Sequence, residues 1–348
     1  MTHSIALQFE DDVTHFIACT EDETVADAAY RHGISIPLDC RDGACGTCKS
    51  FCEQGRYDGG NYIEDALTDD EARQGFVLPC QMRAKTDCVI RVPASSTACK
   101  LRRSTLRGRL AAVDRASDTT LTFSIAVDPS IKIDFLPGQY ARIQVPGTSE
   151  SRAYSFSSSP GNHNASFLIR DVPNGKMSTY LRQFARVGEP VTFDGPYGAF
   201  YLRKIERPLL MLAGGTGLAP FLSMLNSMVA EELLHGDGDQ RVKHHSIRLI
   251  YGVTRDDDLV GLEQLDRLTE QLPQFGYVTC VADSGSAHPL KGYVTQHITS
   301  ENLHEGDVDI YVCGPPPMVG AVRNWLSEKG VKPENFFFEK FAPATAMS

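Results

Sequence analysis

Cys40-Arg41-Asp42-Gly43-Ala44-Cys45-Gly46-Thr47-Cys48 places three cysteines within nine residues, and Cys80 follows after 31 more. C-x4-C-x2-C with one distant cysteine is a spacing by which four thiolates hold a [2Fe–2S] cluster. A loop this short must wrap closely round its cargo. Gly43 and Gly46 supply the conformations and the close approach that a Cβ would block. Backbone N–H groups of such a loop can point at the sulfurs and tune the potential. Zinc also accepts four cysteines, but its usual signature is a pair of short C-x2–4-C knuckles. Here three ligands crowd one side and the fourth stands alone in Pro79-Cys80-Gln81. Cys40, Cys45, Cys48 and Cys80 are therefore read as the metal ligands, with Cys52 a spare thiol. A zinc-stabilised module with the same four cysteines is the alternative.

A chain of 348 residues exceeds one ordinary core, so two or three domains are expected. Its first residues lack the basic and apolar regions of an export signal, which argues against a disulfide framework and for a cytoplasmic protein. Pro208 to Ala230 carries no charge. Gly214-Gly215-Thr216-Gly217 and Pro220 divide that stretch into strand, loop and helix, so no membrane span is expected. Residues 1–99 hold 17 Asp/Glu against 8 Lys/Arg, a net of −9, while the whole chain is −10. An acidic first domain argues against nucleic acid and suits steering toward a positive partner. A merely solvated acidic surface would look the same by charge alone.

Along the chain, Ile5, Leu7 and Phe9 alternate as a strand, and Thr24 to Tyr30 reads as a short helix ended by Gly33. Thr68-Asp69-Asp70-Glu71 has the form of a capping box. Val89-Ile90-Arg91-Val92 reads as a closing strand, and Pro93 to Lys100 as a small, polar linker. Residues 106–202 carry short alternating strands at Leu121–Ile125, Tyr140–Val145, Ser166–Arg170 and Val191–Phe193, the pattern of an antiparallel barrel. On it lie Arg152-Ala153-Tyr154-Ser155 and Gly175-Lys176-Met177-Ser178. An arginine beside an aromatic suits a phosphate-bearing ring cofactor. The second motif is a turn into a helix whose free N–H groups, with the Ser178 hydroxyl, form an anion site. Residues 206–341 alternate apolar strands with helices: Leu209–Ala213, Ile247–Val253 with a helix near 257–271, and Val308–Cys313 with a helix to Lys329. That is a doubly wound parallel sheet, whose ligands bind at the carboxyl ends of its strands. Gly214–Pro220 and Cys313–Pro317 fall at that edge.

Taken together, these three regions resemble the ferredoxin–NADP reductase superfamily fused to an N-terminal plant-type ferredoxin. More narrowly, the chain is similar to the NADH-dependent reductase components of benzoate, toluate and anthranilate 1,2-dioxygenase systems. The resemblance covers essentially the whole chain. It implies a β-grasp [2Fe–2S] ferredoxin domain at 1–97, an antiparallel β-barrel FAD domain at 103–204 and a doubly wound α/β NAD domain at 205–348. It implies that Arg152 meets the FAD pyrophosphate, that Ala153, Tyr154 and Ser155 line the flavin, and that Gly175, Lys176, Met177 and Ser178 cap the pyrophosphate. Gly214, Gly215, Thr216 and Gly217 would hold the NAD pyrophosphate, with Cys313, Gly314 and Pro315 near the nicotinamide. Glu339 would lie near the flavin and Phe341 would be a stacking residue, although the chain runs seven residues beyond it.

The resemblance further implies a route from NADH to FAD to [2Fe–2S] to a terminal Rieske-type oxygenase, with FAD converting a two-electron donor to one-electron delivery. Ser155, Cys313 and Glu339 would be positioning and polarising groups in an enzyme acting as a monomer. On spacing alone, Cys313 reads rather as a packed strand-end thiol, and only the resemblance makes it a site residue. Reductases of diiron monooxygenases and of sugar deoxygenation share the architecture and remain alternatives. Thr254-Arg255-Asp256-Asp257-Asp258 follows the second strand of the dinucleotide domain, and three carboxylates there favour NADH over NADPH.

Overall fold

The computed structural model describes residues 1–38, 40–100, 104–235 and 245–341, with the side chains of 231–235 left out of the description. By contact the chain forms two compact units, Met1–Ser104 with Pro196–Ala199, and Thr105–Gly195 with the chain from Phe200 onward.

The first unit is a β-grasp. It contains β1 (Thr2–Phe9), β2 (Thr14–Thr20), α1 (Val25–Arg31), β3 (Ser50–Gln54), β4 (Tyr57–Asp58), α2 (Asp69–Gln74), β5 (Phe76–Val77), β6 (Arg83–Ala84), β7 (Cys88–Val92) and α3 (Ser96–Lys100). The main sheet runs β2-β1-β7-β3-β5, with β1 parallel to β7 and antiparallel to β2. Alternation puts Ile5, Leu7 and Phe9 inside, against Val25, Ala28 and Ala29 of α1. Thr68 and Glu71 form the anticipated capping box at α2. The segment read as a linker is not one. Both Asp11 carboxylate oxygens accept from the Ser96 N–H at 2.9 and 3.0 Å, and Ser35 N–H donates to Cys99 O at 2.7 Å. These bonds fold residues 96–100 as α3 onto the first core, where Cys99 is buried. A domain limit at 97 would cut this helix. Burial works against the charged form of Asp11, yet the Ser96 bonds hold its carboxyl below the usual range.

The second unit begins with β8 (Ser104–Ser117), β9 (Thr120–Ala126), β10 (Tyr140–Gln144), β11 (Ser151–Ser155), β12 (Asn164–Arg170), α4 (Lys176–Gln183) and β13 (Pro190–Tyr197). The sheet order is β11-β10-β13-β8-β9-β12. An antiparallel bridge from Phe156 to Phe167 joins the two edges, so the six strands close as a barrel. Phe123, Phe135, Phe156, Phe167 and Phe193 fill it.

Next come β14 (Leu209–Gly214), α5 (Leu218–His235), β15 (Ile247–Val253), α6 (Leu262–Gln271), β16 (Phe275–Val281), α7 (Ser300–Leu303), β17 (Asp309–Gly314), α8 (Pro316–Glu328) and β18 (Asn335–Lys340). The sheet is parallel in the order β16-β15-β14-β17-β18. The chain moves outward from β14 in both directions, so the topological switch lies between β14 and β17. The helix anticipated near 257–271 starts only at Leu262. Asp256–Asp258 form a single 3-10 turn, and Gly261 at φ 74° precedes the helix as its cap. Among the described residues no helix is long and apolar enough to cross a membrane.

Candidate functional site: a thiol loop and a dinucleotide crevice

The cysteine loop spans the gap between α1 and β3. Arg41, Gly43 and Gly46 all take left-handed conformations, at φ 65°, 82° and 73°. A Cβ on Gly43 would lie 2.3 Å from Asn61 O, and one on Gly46 would lie 3.0 Å from Ala66 O. The loop therefore needs glycine where residues 61–66 press on it. Cys45 N–H donates to the Cys40 sulfur at 3.3 Å and Thr47 N–H to the Cys45 sulfur at 3.5 Å. Gln81 Nε2 donates to Arg41 O at 2.8 Å, which ties the Cys80 segment to the loop.

The four thiols form two pairs. Cys40 is in hydrogen-bond contact with Cys45, and Cys48 with Cys80. Two pairs suit two irons, each taking two thiolates, and this donor set fits a [2Fe–2S] cluster better than a lone zinc. Burial pushes Cys40 up to about 11, with Asp42 adding to it. Contact with Cys48, and then the Gly43 backbone, pulls Cys80 down to about 7. Metal binding at such thiols releases protons. Cys52 points elsewhere. It is buried on β3, donates to Gln54 O at 3.2 Å and touches the Cys88 thiol.

On the barrel, Arg152 and Tyr154 share one face of β11 by alternation, while Ser155 ends the strand buried. Tyr154 packs edge-on to Phe123 at 6.0 Å, and burial pushes its phenol up, so it stays neutral. Ala153 pairs with Arg142 on β10. Gly175 caps α4 without a side-chain bond, leaving the N–H groups of Lys176, Met177 and Ser178 as first-turn donors. The Ser178 hydroxyl differs from expectation. It accepts from Val172 N–H at 3.0 Å and donates to Arg170 O at 3.4 Å. It therefore shapes the turn, and the donors left at this helix start are backbone groups. Arg152 and Lys176 meet at Glu150, a residue the sequence reading passed over. Lys176 also borders a cavity of about 830 Å³ lined by Gln144–Thr148, Thr179, Tyr180 and Phe184.

At the sheet switch, Gly214 leads into the 3-10 turn Gly215–Gly217 and then α5. A Cβ on Gly217 would lie 2.3 Å from Cys313 O, and one on Gly214 would lie 2.4 Å from Met318 Sδ. These glycines let the loop pass against the end of β17. Gly215 has φ 55° and open space at its Cβ position. Cys313 pairs with Ala213 on one side and Glu339 on the other, and Phe341 N–H donates to Gly314 O at 3.0 Å. Gly217, Cys313, Gly314, Glu339 and Phe341 thus gather at one edge. Cys313 is 0% exposed. Burial, with Glu339 adding, pushes its thiol well up, so it remains neutral.

The barrel and the parallel sheet meet beside these motifs. Ser223 Oγ, on the helix that follows the glycine turn, donates to Ser158 O at 2.8 Å, three residues past Ser155. Thr119 Oγ1 donates to the Asp258 carboxylate, and the Gly215–Gly217 turn lies against β12. Gly138 has φ 109°, and a Cβ there would stand 2.7 Å from Phe200 O, so glycine is needed where it also meets Met224 Cε. None of Ser223, Gly138 or Met318 carries a motif signal, because each matters through a contact between segments distant in sequence.

A barrel strand carrying arginine and tyrosine beside a glycine turn at a sheet switch defines a flavin- and nicotinamide-dependent reductase. Family models agree: a 2Fe-2S iron–sulfur cluster binding domain matches residues 8–85, an oxidoreductase FAD-binding domain 107–201 and an oxidoreductase NAD-binding domain 211–324. The chain is 64% identical to the 2-halobenzoate 1,2-dioxygenase electron transfer component of Burkholderia cepacia, over 99% of each chain. It is 53% identical to the toluate 1,2-dioxygenase electron transfer component of Pseudomonas putida, over 98% of this chain and 99% of that one. A crystal structure of an Amycolatopsis cytochrome P450 reductase superposes with TM-score 0.71 at 26% identity, over 98% of this chain and 99% of that one. The chain belongs to the family of reductases that join a [2Fe–2S] domain to FAD- and NAD-binding domains and that includes these dioxygenase electron transfer components. It is an electron-transfer oxidoreductase, and the zinc-module reading is set aside.

Proposed function

We propose that this chain is the cytoplasmic, monomeric NADH-oxidising component that supplies electrons to a terminal Rieske-type oxygenase acting on a benzoate-type aromatic acid. The observation that carries the reading is the junction at Ser158 and Ser223, which sets the Arg-x-Tyr-Ser strand beside the glycine turn. Hydride donor and acceptor sites then share one crevice. The likeness to the 2-halobenzoate and toluate components supports the aromatic acid. Bound at these residues, NADH would supply hydride, and FAD with the cluster would supply the conversion to single-electron delivery.

The protein's part is placement. Arg152 and the N–H groups of Lys176, Met177 and Ser178, on the turn that Gly175 opens, hold the FAD diphosphate, with Ala153, Tyr154 and Ser155 along the flavin ring. Gly214 to Gly217 hold the NAD diphosphate at the start of α5. Cys313, Gly314 and Pro315 shape the nicotinamide side, Cys313 acting from inside the core as a neutral positioning group. Ser155 and Glu339 polarise the flavin, and Phe341 covers it. Cys40, Cys45, Cys48 and Cys80 ligate the cluster. The FAD domain runs from about residue 103 to 204 and the NAD domain from there to the C-terminus.

Electrons leave through the first unit. Residues 61–66 lie on the cysteine loop, and Ile63 N–H donates to Gly43 O at 3.2 Å. Ile63 is 51% exposed, and residues 57–72 hold six carboxylates and no Lys or Arg. An apolar contact in an acidic rim suits an oxygenase with a basic surface. The test is reconstitution of the purified chain, NADH and a benzoate-type terminal oxygenase. Substrate-dependent NADH oxidation with formation of the cis-diol is expected. Cytochrome c reduction without any support of such oxygenases would overturn the partner.

A further inference from the structure

We propose that Glu150 is a positioning residue for the flavin diphosphate, holding Arg152 and Lys176 in place as a pair. This rests on the reading that Arg152 and the start of α4 meet that diphosphate. The two cations come from different elements, β11 and α4, and each ends a long side chain with many rotamers. Glu150 joins them. Its Oε2 accepts from Arg152 Nη2 at 2.7 Å, and its Oε1 accepts from Lys176 Nζ.

The carboxylate is itself presented by a closed turn between β10 and β11. Val145 N–H donates to Glu150 O at 2.8 Å, Thr148 N–H to Val145 O at 3.0 Å, and Glu150 N–H to Thr148 Oγ1 at 3.2 Å. Arg152 is fixed a second time by Nη1 to Ser151 O at 2.9 Å. A guanidinium carries five donors and an ammonium three, so both cations keep N–H groups for a ligand. Lys176, then Arg152, hold the Glu150 carboxyl below the usual range, so the bridge stays charged at neutral pH.

An exposed ion pair alone contributes little stability. Here its effect falls on binding. A diphosphate that meets two ordered cations does not have to order them, and that saving appears as affinity. The opposing effect is repulsion between the Glu150 carboxylate and the phosphates. The carboxylate touches both cations directly, whereas the phosphates would meet it only across them, so the attraction acts at the shorter distance and outweighs the repulsion.

The full chain, freed of flavin, is titrated with FAD by fluorescence quenching at about 0.15 M salt. E150Q and E150A should each raise the Kd for FAD about five- to tenfold. The absorption spectrum of the FAD that is bound, which reports the ring, and the melting temperature of the flavin-free chain, which FAD affinity does not enter, should match wild type. Unchanged or tighter FAD binding would overturn the proposal and make Glu150 a bystander or a competitor. A shifted spectrum or lowered melting temperature would overturn it too, since the defect would then be general. R152A separates this from the reading beneath it. Weak FAD binding in R152A with normal binding in both Glu150 variants sinks the inference alone, whereas normal FAD binding in R152A sinks the diphosphate assignment itself.

Discussion

Cys52 lies four residues beyond Cys48, near enough in sequence to compete for the cluster. β3 decides otherwise. Pleating turns its thiol into the first core, against Cys88 and the Gln54 carbonyl, while Cys48 faces Cys80. Cys52→Ser should therefore keep about two irons and two labile sulfides per chain, whereas Cys48→Ser should lose them. Iron and acid-labile sulfide analysis of the purified variants checks this, and the reverse pattern would reassign the ligands. Gly217 belongs to the same scale. Its glycine was legible as part of a nucleotide loop, but the reason for it, the Cys313 carbonyl 2.3 Å from any Cβ, is a contact across some hundred residues.

The loop Thr254–Asp258 shows what an element adds to its residues. Three consecutive aspartates read as one acidic block, yet they do different work. Asp256 accepts from Ser286 Oγ at 2.7 Å. Asp258 accepts from Arg255 N–H at 3.0 Å and from Thr119 of the barrel. Asp257 is exposed, as is Arg255. Asp258 thus holds the 3-10 turn and pins it to the barrel, while Asp256 ties the turn to Ser286. A 2′-phosphate brought to this crest would meet repulsion, and a 2′-hydroxyl would not. kcat/KM for NADH should exceed that for NADPH by at least about tenfold, the equivalent of roughly 1.4 kcal/mol. Equal efficiencies would show that Arg255 receives the phosphate after all.

For the molecule as a whole, the division into two units predicts divided labour. The thiol loop lies in the first unit, and both dinucleotide motifs lie in the second. Cys80→Ser removes one cluster ligand without touching a residue of the second unit. This variant should reduce ferricyanide with NADH at the wild-type rate. Its reduction of cytochrome c should fall to background, and it should not support an oxygenase. Stopped-flow traces at the flavin and cluster wavelengths separate the two steps. Loss of ferricyanide activity with FAD still bound would show that electrons do not leave the flavin as proposed. A truncation to residues 103–348 should behave alike, because α3 packs with the part removed.

The sequence by itself determined the three folds and the cofactor classes they serve, and it singled out the four candidate thiols and the two nucleotide motifs. Each of those is written locally. C-x4-C-x2-C, the alternation of β1 and β12, and the run of glycines after β14 are patterns among residues close in sequence, so spacing alone reports them, even where the contact that requires a glycine is distant. Only the tertiary structure decided that Pro93–Lys100 is part of the first core, because its partners are Asp11 and Ser35. The engagement of the Ser178 hydroxyl with the Val172–Arg170 backbone was likewise invisible to a helix-start motif. Glu150 has no motif, and its place between Arg152 and Lys176 exists only once β11 and α4 are side by side. The crevice depends on Ser223 reaching Ser158, a contact between residues 65 apart. Periodicity and spacing encode what a segment does with its own backbone. Which side chains from distant segments share one small volume is settled by packing, and no local pattern carries it.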